Sequence, residues 1–512
     1  MGKPLLFLPF WLLVAAGVFA QADLKKLDAY YAKALADWEV PGMSVAIVKD
    51  GKVIFSKGYG VKEKGKSEKP DAGTLFAIAS NSKAFTSAAI AQLVDAGKIS
   101  WDDKVRKYLP DFALYDPWVS EETTIRDLLC HRVGLGTFSG DILWYRSTLS
   151  TDEILKRVRY LPPAYGFRAG YGYSNVMYLA AGMVLEKVSG KTWPQYIREN
   201  FFEPLGMRRS ISAVRDLERT GNFASPHKLV NNKHEPMPWE EWETVAAMGG
   251  IISSAEDMAK WMIFNLNHGV WDRDTLLSKD SRNELWTPHN VFPVDHTRQQ
   301  KSTHMRGYAL GWNVSDYRGK YRVGHTGGYS GMLSAVTLIP DEDLGIVVLT
   351  NGLKGIFTPL INYTIDAFLK APEQDWSAEA LKNAQRFRDK RIEERRQAKI
   401  TGTKPTLRQD QYSGEYFTPA YGKITVSEES AGSGGGLSLR LDFEHTPDLS
   451  ATLEHWHQDV WEIKWHKPEV LAWFSFGTVQ FDLDNNAKVE GIRFDVPNDD
   501  LWFEELNAKR VR

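Results

Sequence analysis

A chain of 512 residues is too long for one ordinary core and implies two or three domains. With 43% hydrophobic, 25% charged and 12% aromatic residues it is built to fold, which excludes a disordered or collagen-like chain. The 63 basic and 65 acidic side chains leave a net charge of -2, too little for a nucleic-acid-binding face, and the single cysteine, Cys130, excludes an intramolecular disulfide and a cysteine-based zinc cluster.

The chain opens with Lys3, an apolar run over residues 5–20 and the small-residue end Ala20-Gln21-Ala22, the layout of a signal peptide over residues 1–22. A retained anchor is the other reading, but the run is short for a span of about 20 residues and contains Pro9. The expected mature protein is exported, periplasmic or extracellular, with no stable membrane span. Residues 44–56 then read as two strands about Asp50-Gly51, a hairpin turn signal. A helix is predicted over 80–96, with Phe85, Ala88, Ala89, Leu93 and Val94 on one side and Gly97 as its stop. Ser150 to Glu153 and Ser253 to Glu256 read as capping boxes that open further helices. Apolar strands over 333–340 and 344–350 flank a turn at Asp341-Glu342-Asp343. Strands at both ends with helices between them predict one sheet assembled from the two chain ends around a helical insert.

Residues 377–399 form a highly charged helical stretch whose apolar stripe, Leu381, Ala384 and Phe387, is thin. Interspersed Glu379, Asp389, Glu393 and Glu394 favour a solvated connector over a membrane-surface helix. Alternating patterns at Leu437, Leu439, Leu441 and Phe443 and at Val479, Phe481 and Leu483, with turns at 432–436 and 484–486, predict a small antiparallel β-barrel at the end of the chain.

The search for chemistry begins with exclusions. His234-Glu235 runs into Pro236 and forms no H-E-x-x-H, and His455 and His457, on one face of a predicted strand, read as surface or packing residues. No phosphate loop and no G-x-S-x-G elbow is present. S-x-x-K occurs twice. Ser225-Pro226-His227-Lys228 contains a proline, whereas Ser80-Asn81-Ser82-Lys83 opens the predicted helix, where residues i and i+3 share a face. A serine needs a base to become a nucleophile, and a lysine serves only if burial or nearby cations lower its pKa. Ser80 is therefore the candidate. Tyr173-Ser174-Asn175 and His325-Thr326-Gly327 follow it in the helical insert and at a strand edge.

Residues 76–83, Tyr173-Ser174-Asn175 and Gly324-His325-Thr326-Gly327-Gly328 resemble the three motifs of the serine penicillin-recognising enzymes, in the branch shared by class C β-lactamases, D,D-carboxypeptidases, D-aminopeptidases and related esterases. Residues 124–135 and Gly249-Gly250-Ile251-Ile252-Ser253-Ser254 are similar to further segments of that family. The resemblance covers about residues 30–370, and the tail is similar to lipocalin-like C-terminal domains. It implies an α+β fold, an antiparallel sheet flanked by helices with an all-helical subdomain, plus the C-terminal antiparallel β-barrel. The division it implies is a hydrolase domain over 23–370, a charged helical linker over 371–405 and a lipocalin-like barrel over 406–512.

By the same resemblance Ser80 is acylated, Lys83 helps take its proton, Tyr173 is base and proton shuttle, and Asn175 holds Lys83 and the substrate amide. The N–H groups of Ser80 and Gly328 make the oxyanion hole, in a strand segment that supplies His325, Thr326 and Gly327 to the site. A tyrosine beside a lysine ammonium is expected to lose its proton below the usual value of about 10. His325 stands where class C β-lactamases carry lysine, and a partly charged histidine disfavours efficient β-lactam hydrolysis. Cys130 is expected buried and inert, a cysteine–histidine nucleophile being the remote alternative. The resulting expectation is an exported serine hydrolase, without metal or cofactor, acting on D-residue peptides or amides such as peptidoglycan fragments. The alternatives are a small-ester hydrolase, a weak β-lactamase, or a non-catalytic ligand-binding protein.

Overall fold

A computed structural model describes residues 22–294, 303–430, 437–498 and 500–511. Residues 1–21 of the expected signal peptide and the expected turn at 432–436 lie outside the described residues, as does the Phe387 side chain. Among the described residues no helix is long and apolar enough to cross a membrane.

Eight strands form one antiparallel sheet. They are β1 (Gly42–Lys49), β2 (Lys52–Gly60), β3 (Asn290–Phe292), β4 (Arg306–Tyr308), β5 (Asn313–Tyr317), β6 (Lys320–Tyr329), β7 (Met332–Ile339) and β8 (Leu344–Thr350), in the spatial order β2-β1-β8-β7-β6-β5-β4-β3. Asp50 and Gly51 close the β1–β2 turn with φ of 50° and 69°, as the hairpin signal predicts. Val45 of β1 lies opposite Val348 of β8, so the sheet is assembled from distant parts of the chain.

Alternation along these strands supplies two cores. Val45, Ile47, Ile346 and Val348 face one side, under α1 (Leu24–Trp38) and, near the end of the sheet region, a helix over Phe357–Phe368. Ala46, Val48, Val347 and Leu349 face the other, where the inserted helices pack. Those include α2 (Ser82–Asp95), α3 (Asn175–Ser189) and α4 (Ala255–Leu266). Helix α2 is buried on all sides from Ser82 to Ala91, not along one stripe, and Phe85 stacks on Trp261 of α4 at 3.8 Å. A helix in that position is the centre of the insert. It stops at Gly97, whose φ is 67°.

The Ser150 box forms as predicted. The second is displaced by one residue: Ser254 caps α4 and accepts from Asp257 N at 3.2 Å, because Ser253 is taken up in a short strand, Ile252–Ser253. The charged stretch is a helix, α5, over Trp376–Gln397, after the Phe357–Phe368 helix. Its start is not wholly solvated, since Trp376, Ala380 and Leu381 pack on the core beneath α1.

The final eight strands, from Gly414–Thr418 to Ala508–Arg510, close into an antiparallel barrel. Its interior is filled by side chains: Phe481 meets Tyr412 at 4.9 Å and Tyr416 at 6.0 Å, and Trp461 and Phe494 are buried. A register shift interrupts the pairing between His455 and His457, and both are part-exposed on either side of the buried Trp456. His455 faces Gln458 O, and His457 Nδ1 accepts from Ile400 N.

Candidate active site

The nucleophile candidate sits on a strained turn. Ala79 has φ of 45°, a left-handed conformation costly for a residue with a Cβ, and it leads from the strand Phe76–Ala77 into a 3-10 turn, Ala79–Asn81, and α2. Neighbouring segments over-determine that turn. Phe76 and Ala77 pair with Ser253 and Ile252, and Ile78 N donates to Ile251 O at 3.0 Å. Asn81 Nδ2 donates to Ser334 Oγ at 2.9 Å, and Ser334 Oγ donates to Ile78 O at 2.7 Å. Strand β6 passes so close that a Cβ on Gly327 would fall 2.1 Å from Ile78 O, which requires glycine there.

Lys83 lies one helical turn after Ser80 and is wholly buried. Its Nζ is 2.7 Å from Asn175 Oδ1, 2.7 Å from Met248 O and 3.0 Å from Ser80 Oγ. Both carbonyl oxygens can only accept, so they take two protons of a neutral amine and leave its lone pair aimed at the serine hydroxyl. Burial lowers the Lys83 pKa to about 7. The opposing influence is Asp141, whose own carboxyl burial pushes up to about 8. Asn175 bridges the two, donating from Nδ2 to Asp141 Oδ2 at 2.6 Å.

Tyr173 lies beside Ser80 in the cavity, and its ring centroid lies 5.0 Å from Lys83 Nζ. Burial raises its pKa well above 10, against a smaller opposing influence of Ser80. The expectation of an easily ionised tyrosine is therefore corrected. In the resting site the phenol keeps its proton, and the lysine is the group brought into the neutral range.

His325 is 4% exposed and neutral: burial, then the Lys83 charge, lowers its pKa to about 3. Its Nδ1 lies 2.6 Å from Thr326 O and donates to it, so Nε2 accepts from Tyr308 OH at 3.0 Å. The partial positive charge expected at this position is absent. Thr326 and Gly328, exposed on β6, line a cavity of about 410 Å³ together with Ser80, Tyr173, Asn175 and His325. Lys83 lies beneath Ser80, and Gly327 faces the nucleophile turn. The structure thus brings all eight candidate residues to one place. The second S-x-x-K does not join them: Ser225 bonds Glu63, and His227 and Lys228 lie in a separate short strand, His227–Val230.

Several contributors stand outside the three motifs. His131, with φ of 61°, accepts from Ser174 N at 3.0 Å and packs its ring 4.4 Å from Tyr173. Asp141 and Tyr308 are reached only through folding. The cavity walls are aromatic, with Phe138, Trp144, Tyr171 and Trp242, and the barrel region adds Trp473, Asp500 and Leu501. Among the described residues no group of three His, Cys, Asp or Glu side chains could hold a metal ion.

A helix-flanked antiparallel sheet with a serine–lysine pair at the head of its central helix is the architecture of the serine hydrolases of the β-lactamase fold. The chain belongs to the Beta-lactamase family, whose model matches residues 27–368, while a Domain of unknown function (DUF3471) matches residues 398–510. It is 31% identical to "Unguisins hydrolase ungD'" of Aspergillus campestris over 76% of this chain and 75% of that one. The octameric penicillin-binding protein homologue from Pyrococcus abyssi superposes with a TM-score of 0.62 at 22% identity, over 93% of this chain and 98% of that one. A class C beta lactamase from Rhodobacter sphaeroides gives a TM-score of 0.54 at 18% identity, over 66% and 99%.

Proposed function

We propose that the protein is an exported hydrolase that acylates Ser80 with amides or peptides containing D-residues and releases the acyl group to water. The observation that carries the mechanism is the Lys83 amine, held by two carbonyl acceptors with its third position on Ser80 Oγ. Neutral Lys83 takes the Ser80 proton as Oγ attacks the carbonyl carbon. The N–H groups of Ser80 and Gly328 receive the developing oxyanion, a contribution of about a hundredfold or more per donor in such sites. The proton then passes through the Tyr173 hydroxyl to the leaving amine, and the acyl-enzyme forms as the C–N bond breaks. Water enters by the reverse proton path and restores Ser80.

The cavity wall narrows the substrate. Its acidic lining residues are Asp141, whose carboxyl burial pushes up to about 8, and Asp500, and among the described residues no arginine or lysine lines it. With His325 neutral, a substrate carboxylate gains no fixed cation from the described lining residues. This favours D-aminopeptidase-like or amidase action over D,D-carboxypeptidase and β-lactamase action, with small esters as the neighbouring reading, since they need the same acyl-enzyme. Export rests on the leader-like pattern of residues 1–22.

The test is to incubate the chain with D-amino-acid p-nitroanilides, a p-nitrophenyl ester and a labelled penicillin, with adducts mapped by mass spectrometry beside Ser80→Ala. Adducts on Ser80, turnover of the anilides and loss of both in the variant are expected. Turnover that survives Ser80→Ala would move the nucleophile elsewhere, and no adduct or turnover at all would end the enzyme reading.

A further inference from the structure

Residues 136–141 form a turn between the catalytic insert and the barrel. It is strained at Phe138, whose φ is 63°, whereas Gly140 takes its φ of 82° freely for want of a Cβ. The turn grips the site at two points. Phe138 N donates to Tyr173 O at 2.8 Å and Thr137 Oγ1 accepts from Tyr173 N at 3.2 Å, which fixes the backbone of the tyrosine. At its other end Asp141 accepts from Asn175 Nδ2, and Asn175 in turn accepts from Lys83.

The outer side of the same turn is held from the barrel. Glu505 accepts from Gly140 N at 2.9 Å and from Ser139 Oγ, and Tyr421, also on the barrel side, donates its hydroxyl to the same carboxylate. Trp502 closes over the turn so tightly that a Cβ on Gly136 would fall 2.5 Å from its ring. Nothing about barrel stability calls for a carboxylate here, because its acceptor atoms are spent largely on the other part of the molecule.

We infer that Glu505 is a positioning residue of the active site supplied by the barrel: it fixes the turn at 136–141, through that turn holds Tyr173 and Asn175, and so sets Lys83 against Ser80. The inference rests on the hydrolase reading above and adds that the C-terminal module is a working part of the catalytic unit. A misplacement of reacting groups by about 1 Å can cost about a hundredfold, which is the scale of effect the clamp controls.

The experiment uses the full chain with Glu505→Ala and Glu505→Gln, a fluorophosphonate probe that labels activated serines, and hydrogen exchange of peptides that span the turn. In Glu505→Ala the turn is expected to exchange faster, and the maximal labelling rate of Ser80 to fall by about tenfold to a hundredfold with half-saturation by the probe unchanged. Glu505→Gln keeps an acceptor for Gly140 N and can donate to Ser139 Oγ, so it should recover most of the rate. An alanine variant that labels at the wild-type maximal rate, or a glutamine variant as slow as alanine, overturns the inference. If the alanine chain does not fold, Ser139→Ala replaces it, with a smaller loss expected and an unchanged rate again overturning the role. Wild-type Ser80 that fails to label sinks the hydrolase reading, and the positioning role with it. Labelled wild type with unaffected variants sinks the positioning role alone.

Discussion

The two interiors of this chain are built on opposite terms. Around Ser80 the buried groups are a lysine, a carboxyl, two histidines and several tyrosines, each tied to others by hydrogen bonds or ring contacts. Inside the barrel the buried groups are mainly aliphatic and aromatic side chains, packed ring against ring. Removing water does different things in the two places. In the barrel it rewards apolar surface. At the site it changes which protonation state each group prefers, and those states are what chemistry uses.

The sharpest way to break this contrast is at Lys83. Lys83→Met keeps the volume and removes the base, leaving Asn175 Oδ1 and Met248 O without a donor. Proton transfer by a positioned group is worth about 10²- to 10⁴-fold, so acylation of Ser80 should fall by that range while the fold persists. The wild-type pH profile carries the same information. A protonated Lys83 has no lone pair, so kcat/KM should fall about tenfold per unit below the Lys83 value near 7 and level off above it. A flat profile from well below 7 would show that another group takes the serine proton.

The barrel should fail in the other way. Phe481 is 1% exposed against Tyr412 and Tyr416, and Phe481→Ala leaves a cavity worth about 3 to 5 kcal/mol. Thermal unfolding should begin earlier, while labelling of Ser80 well below that transition stays as in the wild type. A loss of Ser80 reactivity in the cold, still folded variant would mean that barrel packing, and not only its rim, is coupled to the site.

Sequence periodicity reaches only some of this. The β1–β2 hairpin, the helix over 82–95 and the closed barrel are legible because each is carried by a local pattern of apolar positions and turn residues. Ser80, Lys83, Tyr173, Asn175 and the segment at 325–328 were legible through motifs. Asp141 and Glu505 were not, since the Gly140–Glu505 contact joins positions 365 residues apart and nothing near either announces the other. The ionisation of Tyr173 departs from the sequence expectation for a related reason. Sequence puts Lys83 near Tyr173, but how much water remains beside each depends on the fold, and complete burial turns the expected downward shift of Tyr173 into an upward one. The cap at Ser254 is a smaller case: two adjacent serines offer the same signal, and strand pairing by Ser253 decides between them.

Cys130 gives the last and smallest effect, and it tests whether burial alone explains reactivity. It is as buried as Lys83, and burial raises its pKa to about 12. For a lysine the uncharged form is the reactive one, so burial activates it. For a cysteine the reactive form is the thiolate, so the same burial silences it. The native chain should therefore resist iodoacetamide at pH 8 and keep its full Ser80 reactivity over the time in which the unfolded chain is alkylated completely, with Cys130 as its one thiol. Fast alkylation of the native chain would mean that this part of the insert opens to solvent, and a site that opens so readily would not hold Lys83 in its neutral form.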